Sequence, residues 1–461
     1  MTATPPTGAS TTLVGPGIVI TSFRDPEIVD GGAVVWRGGE IVEVGPFDDL
    51  LRRHEHAARL DAAGGVILPG MVNLHHHFYS ALARGLDPGL ELTDFPTTLA
   101  GLWWRLDRAL DADTVRLSAE VAAADCIRWG ATTVFDHHAS PSCIDGSLEL
   151  VAGAVERAGL SAVLCYEISD RNGHDEALAG LDENLEFCSS RAGHPSVRGM
   201  LGLHAGFTVG DATLDAVARS HRPEIGCHIH VAEDPVDGRV SRSAFGAGPV
   251  DRLERFGLLS DRTLAVHCIH LEPAERRRLA EHNATVVHNP ESNANNGVGR
   301  LDLEAAAADR CTLGLGTDGM SSAMLGSLRA AFLGARAGRH DPHAGWTVVP
   351  ELLAVNADVA GRFLDRPALG RLEPGAPADL CVLDGAPPAP ITADNWFAHL
   401  VFGGAATTVR HTVAGGRVLL DDHRFTTLDP VAIADEARAR TPELWRRFHE
   451  LAPSAPEWIV G

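Results

Sequence analysis

Two histidines spaced i, i+2, His75 and His77, follow the apolar run Pro69-Gly70-Met71-Val72-Asn73-Leu74. On an extended strand, residues two apart project to the same side, so both imidazoles can reach one ion while His76 points away. That is half of a metal site. The spacing alone carries little weight, because with 23 His in 461 residues roughly one His-x-His pair is expected by chance. A second pair, His54 and His56, lies in the Arg-rich stretch 52–59 and reads as a solvated helix face. The first pair is set apart by what comes after it. Cys227-His228-Ile229-His230-Val231-Ala232-Glu233 ends an apolar stretch in histidines and adds a carboxylate. Ala265-Val266-His267-Cys268 ends another in His, and Leu313-Gly314-Leu315-Gly316-Thr317-Asp318 ends a third in Asp. Three histidines and an aspartate suit one divalent first-row ion, Zn²⁺ foremost and Fe²⁺ or Mn²⁺ as alternatives, with a position left for water. A further carboxylate and imidazole are then at hand for proton transfer. The spacing to Glu233 favours His230 over His228 as ligand.

These residues need a scaffold that gathers strand ends. Apolar, β-branched runs recur at 71–74, 132–135, 160–165, 200–204, 225–231, 264–268, 285–288 and 311–316. Between most of them lie Ala/Leu/Arg/Glu-rich segments of helical pattern, such as 112–129, 148–158 and 272–282. Eight strands with crossover helices over about 250 residues is the size of a (β/α)₈ TIM barrel, in which reactive groups collect at the C-terminal strand ends. His75, His77, His230, His267 and Asp318 all fall there. Short valine- and isoleucine-rich runs at 13–23, 32–44, 63–68, 376–383 and 409–420 read as strands and hairpins from both chain ends. The expected organisation is α/β: a composite β-sandwich from 1–66 and 366–425, the barrel over 67–365, and a helical extension over 426–461. The first dozen residues read as a loose start.

Composition narrows the chemistry. With 39 basic and 61 acidic residues the formal charge is −22, and no basic cluster appears, so nucleic acid is not an expected partner. No apolar run approaches ~18 residues, so no membrane span is expected. The N-terminal run is broken by Gly-Pro-Gly and lacks a preceding positive charge, so no signal peptide is expected. Eight scattered cysteines without a Cys-x-x-Cys fit free thiols in the cytoplasm. There is no lysine. That excludes a Schiff base and a carbamylated lysine bridging two ions, so one ion per chain is expected. A homo-oligomer is also expected.

For the substrate side, Trp103, Trp104 and Arg105 lie after the first barrel strand, where a lid would sit. Two indoles and a guanidinium suit stacking on a flat, conjugated ligand. His137, His138, His204, Glu167 and Asn289 stand at strand ends as candidate pocket residues. His282, His411 and His423 read as surface residues.

The ordered set of His-x-His, His-x-x-Glu, His and Asp resembles the amidohydrolase superfamily, in its mononuclear deaminase and chlorohydrolase branch, where guanine and cytosine deaminases belong. Several strings look like the SsnA-type aminohydrolases: Leu102-Trp103-Trp104-Arg105-Leu106-Asp107-Arg108, Asp136-His137-His138-Ala139-Ser140-Pro141-Ser142, Tyr166-Glu167-Ile168-Ser169-Asp170-Arg171-Asn172, and His288-Asn289-Pro290-Glu291-Ser292-Asn293-Ala294-Asn295-Asn296. His75-His76-His77-Phe78-Tyr79 is also similar to 8-oxoguanine deaminases. The resemblance implies that His75, His77, His230 and Asp318 bind the metal and that Asp318 accepts a proton from the attacking water. It implies further that His267 hydrogen-bonds that water and that Glu233 protonates the ring nitrogen beside the attacked carbon. The implied activity is hydrolytic release of ammonia from an amino-substituted nitrogen heterocycle of purine, pterin or pyrimidine type. The alternatives are hydrolysis of a cyclic amide, amidine or chloro-substituted ring at the same site, or an inactive ligand-binding barrel.

Overall fold

The alternation of apolar runs and amphipathic segments becomes a parallel barrel. In the computed structural model, which describes residues 10–454, its strands are Met71–His76, Ala131–His138, Ser161–Ile168, Leu201–Ala205, Cys227–Val231, Thr263–His267, Thr285–His288 and Thr312–Leu315. Each pairs in parallel with the next. The crossover helices carry their own start and stop signals. Helix Ala112–Arg128 is entered through a capping box of Asp111 and Thr114, and helix Pro273–Glu281 through one of Glu272 and Glu275 with Pro at its first turn. Helix Ser147–Ala158 stops at Gly159, whose φ of 88° suits a residue without Cβ.

The barrel closes at the site itself. The backbone N–H groups of Thr317 and Asp318, just beyond the eighth strand, donate to the His75 carbonyl of the first strand at 3.0 and 2.9 Å. The ring of His76, which points away from its neighbours on either side, bonds the Asp318 carbonyl. Lower on the seam, the Asn356 amide of helix Glu351–Leu364 donates to the carbonyls of Val72 (2.7 Å) and Leu315 (2.8 Å) and accepts from Leu315 N–H. That helix also brings Val359, Phe363 and Leu364 against Val72, Leu74, Phe135, Val163, Val266 and Val287 of the barrel. The seam between first and last strands is therefore pinned at both levels, and the relative position of His75, His77 and Asp318 follows from it.

Both chain ends contribute to a nine-stranded mixed sheet beside the barrel. Strand Val66–Pro69 joins the two parts, pairing in parallel with Thr11–Ile20 and antiparallel with Leu380–Leu383. Val14, Val34, Trp36, Ile41, Ile67, Leu380, Val382 and Val413 form its buried core. Gly70 then passes the chain directly from that sheet into the first barrel strand; a Cβ there would lie 2.4 Å from the Thr132 hydroxyl, so only glycine lets the two strands approach. Of the loose start expected at the N-terminus, residues 1–9 lie outside the described residues, and the first strand already begins at Thr11. Helix Pro430–Glu450 follows the sheet and packs on helices Ala112–Arg128 and Trp104–Ala109. The distal end of the expected extension, 455–461, lies outside the described residues. No helix among the described residues is long and apolar enough to cross a membrane.

Candidate active site

Three imidazoles from two strands meet at the barrel mouth. The Nδ1–H of His77 donates to the His137 carbonyl at 2.6 Å, and that of His230 donates to the His204 carbonyl at 2.7 Å. Each ring is thereby held in the tautomer whose Nε2 carries a lone pair, the arrangement that metal-binding histidines share. The two Nε2 atoms lie 3.3 Å apart. Two lone pairs that close repel unless something positive sits between or beside them. His75 Nε2 completes the set; it is buried and has no hydrogen-bond partner. Ligand atoms of His75, His77 and His230 all fall within 4.8 Å of one another, as do those of His75, His267 and Asp318.

Asp318 supplies the negative charge. Its Oδ1 is 3.2 Å from His77 Nε2 and 3.8 Å from His75 Nε2. Its carboxylate accepts from the Gly319 N–H (2.7 Å) and the Ser292 hydroxyl (2.6 Å). Burial opposes charge on Asp318, but the contact with His77 and the surrounding imidazoles outweighs it and holds the carboxyl well below its usual range. Burial, then the crowding of rings, holds His75 and His230 well below the usual imidazole value, so they are neutral. His77 is also opposed by burial, yet Asp318 pushes it up to about 9. The cluster thus calls for a positive charge at the His77–Asp318 contact. A divalent cation meets that call and gives the orphaned Nε2 of His75 a partner, so the donor set fits a metal.

The residues for proton transfer adjoin this cluster. His267 donates from Nδ1 to Asn293 Oδ1 at 2.7 Å. Its Nε2, buried and unpartnered, lies 3.4 Å from Glu233 Oε2 and 3.6 Å from Asp318 Oδ2. Glu233 accepts from the Asn296 amide at 3.3 Å, and burial is the main reason its carboxyl is pushed up to about 7. Backbone at these strand ends is left-handed, with φ of 70° at His267 and 56° at Asp318. Such non-glycine conformations cost on the order of 1–3 kcal/mol and persist where surrounding structure imposes them, commonly at functional sites.

A cleft opens onto His77, His230, Glu233 and Asp318. Phe95, Leu99, Trp103, Trp104 and Phe207 form its apolar walls, and His204, Glu167 and Arg171 a polar wall that adjoins His230. The sequence-based candidates divide here. Trp103, Trp104 and His204 line the cleft, with the His204 ring edge-on to Trp104 at 5.8 Å. Arg105 does not. It turns away, with its guanidinium over the Phe448 ring at 4.0 Å and donating to the carbonyls of Pro88, Gly101, Phe448 and Leu451. It fastens the C-terminal helix, because a helical neighbour of Trp104 points about 100° away from it. The guanidinium in the cleft belongs to Arg171 instead, 5.4 Å from the Trp104 ring and paired with Asp107 (2.6 Å) and Glu167 (3.3 Å).

His137 and His138 also leave the expected set of lining residues. His137 uses its carbonyl to orient His77 and its own ring to reach the Leu203 carbonyl at 3.1 Å, with Glu167 3.5 Å away. His138 is bonded to the Ser140 hydroxyl at 2.9 Å. His411, expected at the surface, is buried and bonded to the Asp61 carbonyl at 2.8 Å, because its strand is covered by the sheet. Arg171, Ser292, Asn293 and Asn296 were not singled out individually from the sequence. Their signals were membership of the strings that resemble SsnA-type aminohydrolases and the clustering of polar residues at and after a strand end, Glu167 and Arg171 at i, i+4 and Ser292 and Asn296 at i, i+4.

Similarity to known proteins agrees with this geometry. A model of the amidohydrolase family matches residues 66–419. A 5-methylthioadenosine/S-adenosylhomocysteine deaminase of Desulforudis audaxviator is 31% identical over 420 residues, 88% of this chain and 93% of that protein. Among solved structures, a zinc-bound adenosine deaminase of Xanthomonas campestris superposes with a TM-score of 0.81 at 24% identity, over 97% of this chain and 100% of that one. A zinc complex of atrazine chlorohydrolase from Arthrobacter aurescens TC1 gives a TM-score of 0.78 at 24% identity, over 94% and 100%. These two likenesses establish the shared fold. The extent of the family match, over a barrel whose strand ends converge on His75, His77, His230 and Asp318, makes this chain a member of the amidohydrolase family.

Proposed function

We propose that this protein is a metal-dependent aminohydrolase that removes an amino group, as ammonia, from a nitrogen heterocycle. The observation that carries the reading is the adjacency of two unlike devices. One is a converging set of imidazoles, of which His75 and His230 are neutral, with an ionised Asp318 beside His77. The other is Glu233, a carboxyl pushed up to about 7 and therefore able both to give and to take a proton near neutrality. The relatives named as 5-methylthioadenosine/S-adenosylhomocysteine deaminases make a 6-aminopurine the first ring to test.

His75, His77, His230 and Asp318 would hold one ion, Zn²⁺ by preference, with Fe²⁺ or Mn²⁺ also compatible with nitrogen and oxygen donors. When bound, such an ion supplies Lewis acidity and lowers the pKa of a water beside it. His137, Glu167 and His230 also converge. However, His230 gives Nδ1 to a carbonyl and turns Nε2 to His77, which favours one ion over two. Asp318, ionised and close to the position of attack, takes the proton of the water. His267, anchored by Asn293, orients that water from its Nε2 side and stabilises charge as the tetrahedral centre forms. Glu233 delivers a proton to the ring nitrogen next to the attacked carbon, which turns an aromatic C–NH₂ into an attackable amidine-like centre. Trp103, Trp104 and Phe207 present flat faces and edges to the ring, and Phe95 and Leu99 exclude water from it.

The test is ammonia release from a panel of aminopurines, pterins, pyrimidines and cyclic guanidines, before and after chelation and with zinc restored. Ammonia release that disappears on chelation and returns with zinc supports the reading. Chloride release from a chlorinated ring without ammonia from any amine would transfer the site to the dehalogenating alternative. Zinc binding without turnover of any ring would favour a ligand-binding barrel.

A further inference from the structure

The strand Cys227–Val231 carries two histidines on one side, His228 and His230, and the proposed chemistry uses only the second. We infer that His228 is a positioning residue that sets the tautomer and direction of His75 and so tunes how tightly the site holds its metal. The inference rests on the metal-centre reading above.

His77 and His230 each give Nδ1–H to a backbone carbonyl. His75 differs. Its Nδ1 meets His228 Nε2 at 2.8 Å, and both residues are fully buried. For His75 to present the Nε2 lone pair, its Nδ1 must carry the proton and His228 Nε2 must accept it. His228 must then hold its own proton on Nδ1. What lies there is Cys165 Sγ at 3.8 Å, a weak acceptor whose thiol in turn points to the Asp136 carbonyl at 3.6 Å. The chain of donors is consistent in one direction, from the thiol outward: Cys165 to the Asp136 carbonyl, His228 to Cys165, His75 to His228.

A polar ring fully buried against the rings of His75 and His137 is costly unless bonded. Its one strong partner is the ring whose free nitrogen faces the metal position. Of the three imidazole ligands, His75 alone is therefore oriented by a side chain rather than by main chain, and alone can be detuned by a single substitution outside the ligand set.

The test compares His228→Gln with His228→Met in the full-length protein. The two side chains have nearly the same shape, but Gln offers an oxygen that can accept from His75 Nδ1 and Met offers only a thioether. Zinc affinity is measured by competition with a chromophoric chelator, together with the melting temperature of the metal-free protein. The Met variant is expected to lose about 10–100-fold in zinc affinity, the usual range for an outer-shell partner, and the Gln variant to recover most of it. Equal zinc affinity in wild type and both variants would overturn the inference. So would equal loss in both, or failure of both to fold, since His228 would then be acting through packing. Failure of the unaltered protein to bind zinc would sink the metal-centre reading itself.

Discussion

The metal-ligating cluster of the cleft and the wall beside it are built by different means. At the metal end, His77 and His230 are oriented by backbone carbonyls of neighbouring strands, and Asp318 is placed by the hydrogen bonds that close the barrel. In the wall beside it, Trp104, His204, Glu167 and Arg171 are positioned by one another and by Asp107, through ring contacts and ion pairs at 2.6 to 3.9 Å. Main chain in a closed sheet moves little, whereas a side-chain network can rearrange when one member changes. Under the proposed function, the rigid cluster carries the chemistry and the adaptable wall selects the ring, as expected for function grafted onto a shared fold.

The sharpest way to break this contrast is at the metal end. His77→Ala is expected to abolish both metal retention and turnover, measured by elemental analysis and ammonia release, because it removes a ligand whose neighbours cannot shift to replace it. Retained stoichiometric metal would mean that His77 is not a ligand. Glu233→Gln comes next. The metal should stay, while kcat falls by about 10²–10⁴-fold, the usual contribution of a general acid–base group. In the proposed mechanism the acid form of Glu233 is the competent one, and burial pushes its carboxyl up to about 7. kcat/KM should therefore decline as pH rises above that value. Metal loss in the Gln variant would instead make Glu233 a ligand.

In the adjoining wall smaller effects, falling on KM, are expected. Trp104→Ala removes a ring face worth about 0.5–1.5 kcal/mol beyond its area, so KM should rise roughly 2- to 12-fold from stacking alone with the metal content unchanged. Unchanged KM in both the Trp103→Ala and Trp104→Ala variants would make the indoles structural. The last prediction separates the two arginines. Arg105→Met should lower the melting temperature while leaving KM alone, since its carbonyl bonds tie helix Pro430–Glu450 to the lid segment and hydrogen bonds to charged groups contribute about 1.5–3 kcal/mol. Arg171→Met should shift KM, because Arg171 lies in the cleft wall. Reversed outcomes would restore Arg105 as the substrate-facing guanidinium.

The barrel was legible because its strands are continuous apolar runs. The runs 71–74, 132–135 and 285–288 expected from sequence lie within or coincide with Met71–His76, Ala131–His138 and Thr285–His288. Period-two geometry at their ends then places His75 with His77, and His228 with His230, on a common side. The contacts in the adjoining wall of the cleft were not legible in the same way. Arg105 adjoins two indoles in sequence, yet the helix turns it toward the C-terminal helix. Arg171, in a different strand–helix connection, crosses over to Trp104.

The sequence by itself therefore determined which residue types stand at strand ends, and with them the order of candidate ligands, the absence of lysine and the family. Tertiary structure alone decided the pairing of Asp318 with His77 across the barrel seam, the contact of His228 with His75, and which arginine reaches the cleft. The physical reason is distance along the chain. Alternation within a strand is a local property of the backbone. Contacts between residues such as His75 and His228, or Asp107 and Arg171, depend on barrel closure and helix packing, which no local pattern encodes.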